Sequence, residues 1–419
     1  MKIKIFFQNF WRSDLIKSSF ILIFMLGFFN LLNYFYQISM AKMLGPEDYG
    51  ILATLMSLVY IFGIPSEAIQ TLISKHISQL NPHKNFGKMK SLLYSYLRKI
   101  GFLSSIFFLI FLLFALVFLS NYLKISFSLL ALTGLIIFTS LLLPVTRGFL
   151  QGRKKFFLMG LNMVLDSTLK VFVAIILVIF GFKVYGAIGA VILSTFAAFF
   201  LSFGFIKEVI KSKIRYHKIK NDNKSNIISL FAIGAIVILY SIDIILARRF
   251  FNPELAGQYS FISLIGKAII FTNLAIGKVM FPISSENRKN KKKDTSLFKK
   301  ALLLVGIISI IALIFYLILP ETIIFILSIG STNYLAASNN LFILGLAFTL
   351  CSFSNIIVLY LLSKNKIKSV APFFLLPIIE IIALYLFHDT LIEFSYTLMF
   401  SNMIMLLYCV YLILKNGKD

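Results

Sequence analysis

Acidic residues are scarce in this 419-residue chain: 16 Asp and Glu stand against 41 Lys and Arg, a formal net charge of +25. Cysteine is scarcer still. The two present, Cys351 and Cys409, both lie inside apolar runs without metal or redox spacing, so they read as plain core residues and say nothing about compartment. The four histidines (His76, His83, His217 and His388) fall in loops or at the ends of apolar runs and do not cluster. A phosphate-cradling Gly-rich loop with Lys, His-Glu-x-x-His, Gly-x-Ser-x-Gly and Cys-x-x-Cys are all missing. The sequence therefore predicts no enzyme active site, no metal and no cofactor. No polar stretch is long enough for a soluble domain, which excludes the usual layout of a membrane-attached glycosyltransferase or ATPase.

Apolar sequence fills the chain instead. Hydrophobic residues make up 59% and charged residues 14%, and the mean hydropathy is +0.92. Soluble domains run nearer half apolar and about a quarter charged. Runs of about 20 apolar residues, enough to cross a bilayer, follow one another from Ser18 almost to the C-terminus. Twelve spans are expected, near 18–41, 50–73, 100–120, 127–146, 157–181, 185–206, 227–247, 257–281, 301–319, 336–362, 370–387 and 391–414. The basic N-terminus (Lys2, Lys4, Arg12, Lys17) precedes a run with no small-residue cleavage site, so the first span reads as a retained helix.

Charge placement checks the count. With the N-terminus cytoplasmic, 33 of the 41 basic residues fall on inside segments. Five fall outside (Lys42, Lys124, Lys183, Arg248, Arg249) and three within spans (Lys170, Lys267, Lys278). Missing one helix would invert every later loop. The asymmetry therefore predicts an all-α, multi-pass protein of the inner membrane with both termini cytoplasmic. The basic loops 207–224 and 288–300 then hold topology against anionic head groups, at about 1 kcal/mol per residue. That accounts for the net charge without a nucleic-acid partner.

The chain also repeats. A shift of 207 residues lays Lys42-Met43-Leu44-Gly45-Pro46-Glu47-Asp48-Tyr49-Gly50 onto Arg249-Phe250-Phe251-Asn252-Pro253-Glu254-Leu255-Ala256-Gly257. Basic residue, Pro-Glu and Gly coincide at the outer ends of the first and seventh spans. An even number of helices per half gives both halves the same orientation, and predicts two parallel six-helix lobes, 1–215 and 216–419, as in an alternating-access carrier. The Pro-Glu-x-x-Gly corner reads as turn structure, with proline ending one helix and glycine giving freedom where the next begins.

Charges within spans are costly, at roughly 2.5–3.5 kcal/mol each on insertion scales, and usually face a cavity or a partner. Asp166 and Lys170 share a helix face at i, i+4, which suits an internal ion pair or a cavity-lining pair that meets anionic substrate or a coupling proton. Lys267 and Lys278 share a face roughly 16 Å apart along the axis and have no acid at i±3 or i±4. Lys278 lies near the inner end and can snorkel, whereas Lys267 needs a wet cavity or a partner. Asp243 and Glu67 are the other candidates for ion pairing or ion coupling, and Asp243 can pair across helices with Lys267. Arg147 either serves the substrate or anchors the fourth span in the head groups, and Glu380 sits mid-span beside Pro377 without a local partner. Gly186, Ala190, Ser194, Ala198 and Ser202 make one thin face of the sixth span, read as helix packing.

The run Met40 to Gly50 resembles the first loop of the polysaccharide biosynthesis proteins. These are the Wzx-type oligosaccharide flippases of the multidrug/oligosaccharidyl-lipid/polysaccharide (MOP) superfamily. Three further stretches are similar: Ile64-Pro65-Ser66 with Gln70-Thr71 and Ser74-Lys75; Arg147-Gly148-Phe149-Leu150-Gln151-Gly152; and Asp243 to Ala247 with Pro253-Glu254-x-x-Gly257 and Met280-Phe281-Pro282. The likeness covers about the first 300 residues and fades after them. It implies two six-helix lobes of the MATE type about a central cavity, and transfer of polyprenyl-pyrophosphate-linked glycan between leaflets. Lys42 and Arg249 would flank the outer mouth, and Lys267, Lys170 and Arg147 would suit pyrophosphate. The expected partners are the lipid-linked glycan and membrane lipids, with a polysaccharide polymerase or glycosyltransferases left open. Two other functions stay open at this point: a cation-coupled drug exporter of the same superfamily, and a non-transporting scaffold for glycan assembly.

Overall fold

Long apolar runs with few helix breakers dictate helices. The computed structural model describes residues 14–81, 85–215, 234–286, 291–364 and 371–416, and among them the secondary structure is helical, without strands. The principal helices are α1 (Asp14–Phe62), α2 (Ile64–Leu80), α3 (Phe86–Phe114), α4 (Phe127–Gly134), α5 (Ile136–Gly152), α6 (Phe156–Ile179) and α7 (Lys183–Phe205). There follow α8 (Ile242–Phe250), α9 (Pro253–Glu286), α10 (Lys291–Ile318), α11 (Leu341–Ser363), α12 (Leu376–Leu386) and α13 (Leu391–Asn416).

Nine described stretches are long and apolar enough to cross a membrane. The first, Phe24–Leu80, covers two of the twelve expected spans, which meet at a kink where the Gly45 backbone is non-helical. The eleventh span shortens to α12, because regular helix starts only around Pro377, which has no N–H to give to an earlier turn. The seventh lies partly outside the described residues, as do the basic loops 207–224 and 288–300. The all-α, multi-pass expectation holds.

The described chain divides into two compact units. Unit 1 comprises Met1–Met43 and Pro65–Asn221, and unit 2 comprises Leu44–Ile64 and Asp222–Asp419. The segment 44–64, expected in the N-terminal lobe, thus belongs by its contacts to unit 2. The second span breaks at Gly63, just before Pro65, and the unit boundary falls at that break.

Unit 1 is built on the thin face of α7. Gly186, Ala190, Ser194, Ala198 and Ser202 are all buried, as small residues at every fourth position allow close helix approach. The carbonyl of Ala198 accepts from Asn162 Nδ2 of α6 at 2.7 Å, and that of Ala187 accepts from Tyr36 Oη of α1 at 3.0 Å. Beyond α7, Arg153 and Lys155 hold Glu208 at 2.5 and 3.1 Å, with Arg153 also over the Phe86 ring. Those hydrogen bonds, Arg153 first, pull the Glu208 carboxyl down to about 2. A depressed carboxylate contributes its stability above the unfolded value of about 4.3 and loses it as pH falls toward the folded one. The Glu208 side chain is 50% exposed, so screening keeps the contribution to about 0–1 kcal/mol. Glu208→Gln is expected to lower unfolding stability by no more than that at neutral pH, and the gap to wild type should close as pH falls from about 5 to about 2. Chemical denaturation of the detergent-solubilised protein across that range measures it.

In unit 2 the two repeat corners meet. Gly45 takes a left-handed φ of 74° with ψ 173°, so it, and not Gly50, supplies the freedom that turns the chain into Pro46. At the second corner Asn252 does this work by capping α9, its Oδ1 accepting from Leu255 N at 2.8 Å. Gly50 and Gly257 have a different role from the one expected of them: they permit contact. A Cβ on Gly50 would lie 3.0 Å from Gly257 Cα, and a Cβ on Gly257 would lie 1.7 Å from the Pro46 carbonyl oxygen. Tyr49 is edge-on to both Phe261 and Tyr334 beside this contact.

Candidate functional site

Each unit holds a buried charge cluster. In unit 1, α6 presents Asn162, Asp166 and Lys170 at i, i+4, i+8, which stacks them on one face. Arg147 of α5 reaches that face, its Nε donating to Asn162 Oδ1 at 2.9 Å and its Nη2 to Asp166 Oδ2 at 3.0 Å. Arg147 and Asp166 are only 12% and 8% exposed. Arg147 is thus engaged by Asn162 and Asp166. Asp166 and Lys170 do not pair with each other. Lys170 Nζ donates to Asn33 Oδ1 of α1 and lies 5.1 Å from the centre of the Tyr36 ring. Helical spacing puts the two side chains on one face, but Arg147 supplies a bidentate-capable guanidinium from a neighbouring helix and takes the carboxylate. Asp166 Oδ1 is left without a partner. Two cations, Lys170 buried and Arg147 nearly so, share one carboxylate, so the cluster has an excess of one positive charge.

Two other motif stretches brace this cluster. Gly148 and Gly152 lie against the α2 backbone at Gln70 and Ser74, and Gln70 Nε2 donates to Gln151 Oε1 at 2.9 Å. Glu67, in the first turn of α2, is exposed, as is Lys42, shortly before the kink at Gly45 in α1.

In unit 2 the anion lies at the centre. Asp243 of α8 is fully buried, and α9 grips it with three residues at i, i+4, i+8. Tyr259 Oη donates to Oδ2 at 3.3 Å, Ser263 Oγ to Oδ2 at 2.6 Å and Lys267 Nζ to Oδ1 at 2.8 Å. Lys267 also lies 5.2 Å from the Phe348 ring centre. The cross-helix pair of Asp243 and Lys267 is thus formed, and Lys267 is spent on it. Tyr259 and Ser263 are absent from the sequence-derived candidates, although their four-residue spacing from Lys267 was there to be read. Glu380 of α12 is fully buried nearby and accepts from Asn402 Nδ2 of α13 at 3.3 Å. This cluster thus holds two buried carboxyl groups and one ammonium, which pairs with Asp243.

The remaining candidates do not join either cluster. Arg249 is exposed, whereas its neighbour Arg248 is buried within electrostatic reach of Glu47 and Asp48. Lys278 lies on α9, but its side chain is outside the described residues. Among the described residues no three His, Cys, Asp or Glu side chains are grouped to hold a metal, and Cys351 and Cys409 are buried free thiols.

Solved structures share this architecture. An inward-facing multidrug resistance MATE family transporter of the MOP superfamily aligns with a TM-score of 0.70 at 16% identity, covering 93% of this chain and 96% of that one. An outward-facing MATE family transporter aligns at 0.63 and 15%, covering 98% of both chains. A MOP superfamily transporter from Pyrococcus furiosus, described as having a binding pocket of reversed polarity, aligns at 0.58 and 14%, covering 95% and 93%. The chain thus shares its fold with MATE family transporters. It belongs to the polysaccharide biosynthesis protein family, whose profile matches residues 39–338. No curated protein sequence matches it.

Proposed function

We propose that the chain is an inner-membrane flippase that moves polyprenyl-pyrophosphate-linked oligosaccharide from the inner to the outer leaflet. The observation that carries this reading is the unbalanced cation of unit 1. Lys170 is buried and the Arg147 side chain only 12% exposed, and Asp166 neutralises only one of them. A buried charge without a counter-ion costs several kcal/mol, and an incoming anion relieves that cost. Pyrophosphate is a dianion with the acceptor density that guanidinium and ammonium groups bind well. The glycan needs hydration and the tail stays in lipid, so no covalent step is required. Family membership and a transporter fold support the same reading.

A cation-coupled drug exporter is the second reading, and the two buried carboxyl groups of unit 2, Asp243 and Glu380, are what favour it. Flux assays in proteoliposomes separate the two. Labelled polyprenyl-pyrophosphate glycan is expected to appear in the outer leaflet with wild type. Lys170→Gln, which removes the unbalanced charge and keeps a hydrogen-bonding end for Asn33, should cut that rate by about tenfold or more, as loss of a charge-assisted hydrogen bond implies. Movement of a cationic drug in place of the lipid, unaffected by Lys170→Gln, would transfer the assignment to the exporter.

A further inference from the structure

Glu380 is the buried ionisable group to which the flippase reading gives no role. It lies three residues after Pro377 on α12, with none of its surface exposed. Its Oε2 accepts from Asn402 Nδ2 at 3.3 Å, while Oε1 has no partner. Asn402 donates also to the Leu398 carbonyl at 2.9 Å, and its Oδ1 has no partner either. Both amide hydrogens are therefore committed. Two adjoining side chains present two orphaned acceptors and no spare donor.

The charged and titratable groups around Glu380 come from three helices. Asp243 is on α8, Lys267 and Tyr259 on α9, and Cys351 on α11. Lys267 is already matched by Asp243 at 2.8 Å. An ionised Glu380 would thus be a second carboxylate without a cation, at a depth where such a charge costs several kcal/mol. One proton removes the charge and supplies the missing donor at the same time, since an O–H at Oε1 is a hydrogen-bond donor where only acceptors stood. A metal ion fits less well. It would need a denser set of anionic ligands than the described residues hold, and the Lys267 ammonium already occupies the cationic position at Asp243.

We propose that Glu380 is a proton-carrying site. Its carboxyl is protonated in the conformation described here, with the Asp243–Lys267 pair as a fixed charge beside it. Because the group is sealed from water, its proton leaves only when the site opens, so proton release is tied to a change of conformation. The coupling role of that proton in lipid transfer rests on the flippase reading; its presence on Glu380 does not.

Infrared spectroscopy of the full chain in liposomes tests the site directly. At neutral pH the wild type is expected to show a protonated-carboxyl C=O band that shifts in D2O and with isotopically labelled glutamate, and that disappears in Glu380→Gln. The labelling arm needs no substitution, so the test survives a poorly folding variant. Absence of the band at neutral pH, or its persistence in Glu380→Gln, overturns the proposal. So does its loss on adding sodium at fixed pH, which would mark a metal site. The coupling arm uses the labelled pyrophosphate glycan. A one-unit pH difference across the bilayer should change the wild-type flipping rate by up to about tenfold and leave Glu380→Gln unchanged. A variant that still follows the gradient refutes the coupling. A band that behaves as expected in a protein that moves no lipid leaves the proton site standing and removes the flippase reading.

Discussion

Gly257→Ala is expected to give a chain that reaches the membrane but does not hold its native packing. The new Cβ would meet the Pro46 carbonyl oxygen at 1.7 Å, its carbon at 2.4 Å and Pro46 Cα at 2.9 Å. All three are backbone atoms, so no side-chain rotation relieves the overlap. The N-terminal turn of α9 must move away from the first corner, and overpacking of this kind costs about 1–3 kcal/mol or more. Gly50→Ala should be milder, because its Cβ would lie 3.0 Å from Gly257 Cα and N. Gly45→Ala acts through backbone strain, at a φ of 74° and ψ of 173° that only glycine adopts readily, for about 1–3 kcal/mol. Thermal unfolding in detergent, with size-exclusion profiles, ranks the three. A Gly257→Ala protein that is monodisperse and unfolds at the wild-type temperature would mean that the corners do not touch.

Breaking the unit 2 ion pair from either side should be at least as damaging. Lys267→Met leaves Asp243 in a closed site without its ammonium and with only Ser263 and Tyr259 as donors. Asp243→Asn leaves the ammonium over the Phe348 ring without its carboxylate. Removing one partner of a buried pair costs about 3–5 kcal/mol, whereas replacing both by neutral groups of similar size is often close to neutral. The Asp243→Asn/Lys267→Met double variant is therefore expected to recover most of the stability lost by either single change. A double-mutant cycle on unfolding free energy gives the coupling directly. Additive losses would show that water reaches both groups and that the pair contributes little.

The helices were legible in the sequence because lipid allows little else: apolar runs of the right length must satisfy their own backbone groups. The small face of α7 was legible for the same reason, since its four-residue spacing has one geometric meaning. Asp243 with Lys267 could be anticipated from the cost of leaving either alone. The Asp166 partner could not. Helical spacing nominates Lys170, and only the position of α5 against α6 puts Arg147 at 3.0 Å instead. Asn33, Asn162 and Asn402 were illegible too, because a neutral amide in a span announces neither its partner nor its direction. At the repeat, the sequence marks both glycines of the aligned corners but not that they face each other, and a turn residue and a contact residue look alike in one dimension.

The assignment of Leu44–Ile64 to unit 2 has a kinetic consequence. This segment leaves the ribosome before Gly257, against which Gly50 rests and which lies 207 residues further along the chain. At about 5–20 residues per second, roughly 10–40 s pass between the two. During that interval a hairpin already in the bilayer exposes a face meant for a partner not yet made. Long-range closure of this kind is slow to form and open to capture by other chains. The face stays unmatched until the second corner arrives.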